Sequence, residues 1–244
     1  MATNPMHQFN VYRIGPEIKI GNFDISFTNA SLFMAISSVA ILVLFYIGSK
    51  KKLIVPNKIQ LLAELSFAFV SKMISDTAGA KAKPYFAFIF SIFMFVLFCN
   101  MFGMIPYTFT VTSHIIVTFM LAAIIFIGVT IIGFVKHGIK YLELFVPKGV
   151  PIILLPLIII IEIISYLSRP VSLSVRLFAN MMAGHTMLKV FGGFVISLGL
   201  LGGWLPLGFS VALTGLEILV AFLQAYVFAI LTCIYLNDAL NLHH

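Results

Sequence analysis

Glu162, Arg169 and Arg176 follow one another at intervals of seven residues, and Asn180 comes four later, in a stretch otherwise dominated by Ile, Leu, Val and Phe. Each seven-residue step returns to nearly the same face of an α-helix, with a drift of about 20°. A helix that runs through Pro170 therefore carries the four as one polar stripe, about 27 Å long at ~1.5 Å per residue. That length covers most of a ~30 Å hydrocarbon core. An arginine at the centre of a bilayer costs about 2.5–3.5 kcal/mol on insertion scales. For Arg169 a structural role, by snorkelling to an interface or pairing with a carboxylate, stands level with a functional one. For Arg176 the spacing recruits further polar groups and favours chemistry.

His185 comes nine residues after Arg176, on the opposite side of the same helix, and needs a partner elsewhere. A later apolar segment supplies Glu217 and Gln224, again seven apart. An antiparallel hairpin about a turn at 191–208 places His185 and Glu217 at comparable depth and Gln224 near the level of Arg176. A buried His–Glu pair is ordinarily a static ion pair, but one that faces a cavity exchanges a proton near neutral pH. Arginine stays protonated in proteins, so Arg176 presents a permanent charge and carries no proton in transit. Glu162, His185 and Glu217 titrate, whereas Asn180 and Gln224 only orient water and neighbours. The pattern is two sets of proton-handling groups separated by a fixed cation, as two half-channels with a barrier between them require.

These residues are carried by a chain of 244 residues that is 61% hydrophobic and 9% charged, with mean hydropathy +1.12. A soluble domain carries roughly 25% charged residues, so the composition points to an all-α polytopic membrane protein. The net charge of +7 does not describe a nucleic-acid groove. Lys50, Lys51, Lys52, Lys58, Lys72, Lys81 and Lys83 crowd one connection, and Lys136, Lys140 and Lys148 another, as loops retained on the cytoplasmic side do. Cys99 and Cys233 each lie in an apolar run, which indicates neither a disulfide framework nor a metal site. No cofactor motif is present, and no signal-peptide pattern is read at the N-terminus.

A single membrane domain over 1–244 is expected, with about five membrane helices and one interfacial helix. Residues 1–29 form an outer-side segment and 30–49 the first span, which stops at three lysines. Residues 56–79 read as an amphipathic helix on the inner surface. Lys58, Gln60, Glu64, Ser71, Lys72, Ser75 and Asp76 share one arc of it, and Ile59, Leu62, Phe69, Val70 and Met73 the other. Residues 84–135 contain no Asp, Glu, Lys or Arg and suffice for two spans, with "GMIPYTFTVTSH" as the outward turn around Pro106 and a hydroxyl cluster. Residues 151–240 form two overlong helices, expected as a tilted hairpin.

The stretches "SRPVSLSVRLFANMMAGH" and "EILVAFLQAYVFAILTCIYL" resemble subunit a of the F-type ATP synthases, and the likeness extends over essentially the whole chain. The resemblance implies a non-enzymatic, proton-translocating stator subunit that couples proton flow to rotation and ATP synthesis. It implies that Arg176 is the essential cation facing the carboxylate of each passing c subunit, with Asn180 and Gln224 beside it. Glu162 matches the inner half-channel, and His185 with Glu217 the outer one; Arg169 receives no transport role. Partners implied are the c-subunit ring, peripheral-stalk b subunits, the rest of the complex and the lipid membrane. The membrane is that of the bacterial cell, N-terminus outside and C-terminus cytoplasmic, or alternatively the mitochondrial inner one. No G-x-x-x-x-G-K-[ST] motif is present, so nucleotide chemistry belongs to other chains. The competing class is a self-contained secondary transporter or ion channel, which usually shows an inverted repeat; none is visible.

Overall fold

The computed structural model describes residues 9–15, 19–20, 23–24, 26–50, 55–105, 108–145 and 154–241. Lys51, Lys52, Pro106, Lys148 and the expected helix start at 151–153 lie outside the described residues. Apart from a two-residue strand pair, β1 (Lys19–Ile20) with β2 (Phe23–Asp24), the regular structure among the described residues is helical.

Six α-helices follow: α1 (Asn29–Lys50), α2 (Lys58–Thr77), α3 (Phe86–Gly103), α4 (Ile115–His137), α5 (Leu155–Gly202) and α6 (Trp204–Leu240). Short 3-10 segments precede α3 at Ala80–Tyr85, join α3 to α4 at Val111–Ser113, and follow α4 at Gly138–Phe145. Five helical stretches are long and apolar enough to cross a membrane, and α2 is not among them. The polarity of the packing agrees. Ile124, Ile127 and Ile131 of α4 and Ile160, Ile161 and Ile164 of α5 face outward, while Ser37, Asn100, Thr118, Ser174, Gln224 and Thr232 are buried. In water that arrangement is backwards; in lipid it removes polar groups from hydrocarbon.

α6 is the central element, in contact with α2, α3, α4 and α5. Ala221, Ala225, Ala229 and Cys233 recur every four residues on it, and each is fully buried. Residues four apart stack on one helix face, and small side chains there let neighbouring backbones approach closely, which drives packing where no hydrophobic effect operates. Leu173, Leu177 and Met181 of α5 join the same core, with Phe93 of α3 and Val70 and Ile74 of α2.

The turn of the hairpin differs from expectation. The turn is much tighter than 191–208: helical backbone persists from Leu155 to Gly199, where φ is 63°, and the chain reverses between there and Trp204. Glycines weaken a helix in water by exposing its backbone, but in an apolar medium the backbone gains nothing by leaving its own hydrogen bonds. For the same reason Pro170, buried against neighbouring helices, lies inside α5 without breaking it. Pro156 is in the first turn of α5, where a proline's missing N–H is harmless. At ~1.5 Å per residue, the 45 residues of α5 from Leu155 to Gly199 extend about 68 Å. That is more than twice a ~30 Å hydrocarbon core, so an upright α5 is impossible.

α2 starts at Asn57, whose Oδ1 accepts from the Lys58 N–H at 2.7 Å. It buries Ala63, Val70, Met73 and Ile74. Of the apolar arc read from sequence, Val70 and Met73 are covered, whereas Ile59, Leu62 and Phe69 are exposed.

Candidate functional site: a polar seam between α5 and α6

Because α5 passes unbroken through Pro170, Glu162, Arg169, Arg176 and Asn180 do share one continuous helix. Tertiary packing then gives each a different setting. Arg169 donates to Asp238 Oδ2 of α6 at 3.2 Å, and its guanidinium lies over the rings of Tyr166 and Tyr235, 5.4 and 5.1 Å from their centroids. Tyr166 continues the network to Tyr141 at 3.0 Å and Thr130 at 2.7 Å. This is the structural pairing that stood open for Arg169. Asp238 was not singled out from sequence; its signal was an acid in "YLNDAL", close to where the last helix ends.

Arg176 lies near the middle of α5 with its side chain exposed among Val171, Val175 and Ala179. No acid among the described residues pairs with it. One turn on, Asn180 Nδ2 donates to Gln224 Oε1 of α6 at 3.0 Å, so the two amides meet at the level expected from the hairpin. Glu162 is half-buried, near the start of α5.

His185 and Glu217 come to the same level but do not bond to each other. Glu217 packs against Gly184, where a Cβ would overlap its carboxylate. Both of its oxygens are buried without a hydrogen-bond partner. His185 instead turns its Nε2 to Thr110 Oγ1, 3.1 Å away in the α3–α4 connection. Thr110 belongs to the hydroxyl cluster noticed in the sequence, but nothing there linked it to His185.

Glu217 is not alone in lacking partners. The buried side-chain atoms without one among the described residues are Asn100 Oδ1, Thr112 Oγ1, His114 Nε2, both Glu217 oxygens and Gln224 Nε2. They fall at the end of α3, in the α3–α4 connection and along α6, and Asn100 Nδ2 donates to the Ala221 carbonyl one turn beyond Glu217 at 3.2 Å. Each such atom left dry costs about 1–3 kcal/mol. Four of them, on Asn100, Glu217 and Gln224, lie where α3 and α5 meet α6 and mark a place where polar partners are required. The seam starts in the α3–α4 connection and stops at the amide pair beside Arg176.

The opposite end of the bundle is basic. Lys81 Nζ donates to Asn241 Oδ1 at 2.8 Å, and His137 Nε2 is 3.3 Å from the Leu240 carbonyl. These contacts gather the C-terminus of α6, the C-terminus of α4 and the approach to α3 on one side, together with Lys83 and Lys136. Among the described residues no cluster of His, Cys, Asp and Glu could hold a metal ion.

The sequence matches the family model described as ATP synthase A chain over residues 31–237. It is similar to ATP synthase subunit a of Pelagibacter ubique, at 84% identity over 244 residues covering 100% of both chains. It is also similar to ATP synthase subunit a of a Chelativorans species, at 56% identity over 250 residues and again 100% of both. The Rhizobium rhizogenes protein of the same name is 57% identical over 247 residues, 99% of this chain and 98% of its own length. A family-model match over residues 31–237, together with relatives alike from end to end, makes this chain a member of the ATP synthase A chain family.

Proposed function

We propose that this non-catalytic membrane subunit of an ATP synthase moves protons along two separate paths that meet a ring of c subunits on either side of Arg176. The outer path runs through the α3–α4 connection, His185 and Glu217 to Asn100 and Gln224, where water satisfies the orphaned atoms. A proton delivered there neutralises a carboxylate on the ring, which then turns into lipid. After most of a revolution the carboxylate meets the inner path near Glu162 and releases its proton. Arg176 stabilises the ionised carboxylate and repels protons that would pass straight from one path to the other.

The observation that carries this reading is Arg176 itself: a guanidinium halfway along an apolar helix, exposed and without an acid partner among the described residues. Its cost in hydrocarbon is tolerable only if another chain supplies the counter-charge. The outer side is assigned by Lys81, Lys83 and Lys136, which lie at the end remote from Thr110 and His185. On that basis the C-terminus faces the cytoplasm, and α2, with Lys72 and Asp76 exposed, lies at the inner surface of a bacterial plasma membrane. Peripheral-stalk b subunits hold the chain static while the ring turns. A potential of 100 mV supplies about 2.3 kcal/mol per proton, so rotation must sum several protons for each ATP.

The test is ATP-driven proton uptake by inverted membrane vesicles that carry the assembled enzyme. Arg176→Ala is expected to abolish uptake while the subunit stays in the complex. Normal uptake by that variant would refute the barrier.

A further inference from the structure

Thr110 is 5% exposed and touches two helices with one hydroxyl: Oγ1 lies 3.2 Å from the Gly103 carbonyl of α3 and 3.1 Å from His185 Nε2 of α5. A threonine hydroxyl has a single hydrogen and two lone pairs. The Gly103 carbonyl can only accept, and it is among the last carbonyls of α3, which have no donor within the helix. Both contacts are hydrogen bonds only if the hydroxyl gives its hydrogen to Gly103 and receives one from the imidazole. Were the hydroxyl to donate to the ring instead, the Gly103 carbonyl would lose this donor in a buried place.

We propose that Thr110 is a positioning residue for proton transfer, its hydroxyl fixing His185 as the Nε2–H tautomer so that protons enter and leave the ring at Nδ1. This deepens the outer-path reading and rests on it. Nδ1 has no hydrogen-bond partner among the described residues, and it is the nitrogen left to exchange. A proton arriving at Nδ1 gives the imidazolium, whose Nε2–H bond to Thr110 becomes charge-assisted and stronger. Loss of the proton from Nδ1 toward the Glu217 carboxylate yields a neutral acid and the same Nε2–H imidazole as before. No tautomer exchange or ring flip is needed between successive protons.

The two halves of the Thr110 side chain have separable jobs. Its methyl fills the space above Gly103, where a Cβ would stand 2.7 Å from it. Valine keeps the methyl and loses the hydroxyl; serine does the reverse. The experiment compares initial rates of ATP-driven proton uptake in inverted vesicles, normalised to the amount of this chain in the assembled enzyme. Thr110→Val is expected to slow uptake about five- to tenfold, the equivalent of one lost hydrogen bond, while Thr110→Ser stays within about twofold of the parent. Packing alone predicts the opposite order, and either that order or equal rates would overturn the proposal. If Thr110→Val does not assemble, Thr110→Ala takes its place and must fall well below Thr110→Ser; equality would be as damaging. His185→Ala in the same membranes separates the two ideas. Normal uptake by that variant removes the outer-path reading, whereas its failure beside a normal Thr110→Val removes only the Thr110 assignment.

Discussion

Glu217 of α6 packs its carboxylate against Gly184 of α5, the residue immediately before His185, in a niche that closes if residue 184 carries a Cβ. The missing side chain at 184 therefore leaves the room that the carboxylate fills, at the level of the two titratable groups assigned to the outer path. Glycine there is a requirement of space, with no special backbone angle involved.

Gly184→Ala tests this directly. The added methyl must displace Glu217 or push α5 from α6. A misplacement of about 1 Å can cost up to a hundredfold in a positioned reaction. Proton uptake is expected to fall about ten- to a hundredfold with the subunit still assembled, and uptake at the parental rate would show that the carboxylate's position is immaterial.

His185 and Glu217 make no direct bond, yet the proposed path uses both. Exchanging them (His185→Glu together with Glu217→His) keeps one acid and one base at the same level. The double variant is expected to pump better than either single one. If it is no better than the worse single variant, the two side chains do not act in series.

Arg169 is held by Asp238 and two aromatic faces, at side-chain exposures of 24% and 37% for the ion pair. Partly exposed pairs contribute about 1 kcal/mol or less, and a ring contact adds about 0.5–1 kcal/mol. Asp238→Asn is accordingly expected to lower the temperature at which the solubilised complex loses this subunit by a few degrees, and to leave uptake at ambient temperature nearly unchanged. Loss of pumping without loss of thermal retention would give the pair a transport role instead.

His114 stacks on Phe109, with ring centroids 5.0 Å apart, just before α4 begins. Burial lowers its pKa below the ordinary 6.5. A histidine depressed in the fold contributes stability at pH above about 6.5, where it is neutral in both states, and that contribution is lost as pH falls through the folded value. Hydrogen exchange at residues 108–114 is expected to accelerate on acidification below that range in the parent enzyme and to lose this acid dependence in His114→Phe.

Much of this was legible in one dimension. The excess of apolar residues, the lysine-rich connections and the interval of seven from Glu162 to Arg176 are properties of composition and helix geometry, and they hold whatever the neighbours are. They were enough for an all-α membrane protein with a fixed cation among titratable groups. The turn at 191–208 was misjudged because glycine propensity is measured in water, whereas this segment exposes Phe194, Ile196 and Leu198 as a lipid-facing helix does.

What only the tertiary structure decided is which polar atom meets which. A contact such as Thr110 with His185 is 75 residues apart in the chain, and Arg169 with Asp238 is 69 apart. No local period links such pairs; they depend on how α3, α5 and α6 cross, and that is set by small residues such as Gly184, Ala221 and Ala225 that let the helices close in. Sequence alone determined that a charge had to be buried in lipid and that protonatable groups lay near it. The packing of the helices decided that Arg169 is paired with Asp238 while no acid among the described residues pairs with Arg176, because pairing depends on distances of a few ångströms that only the assembled fold sets.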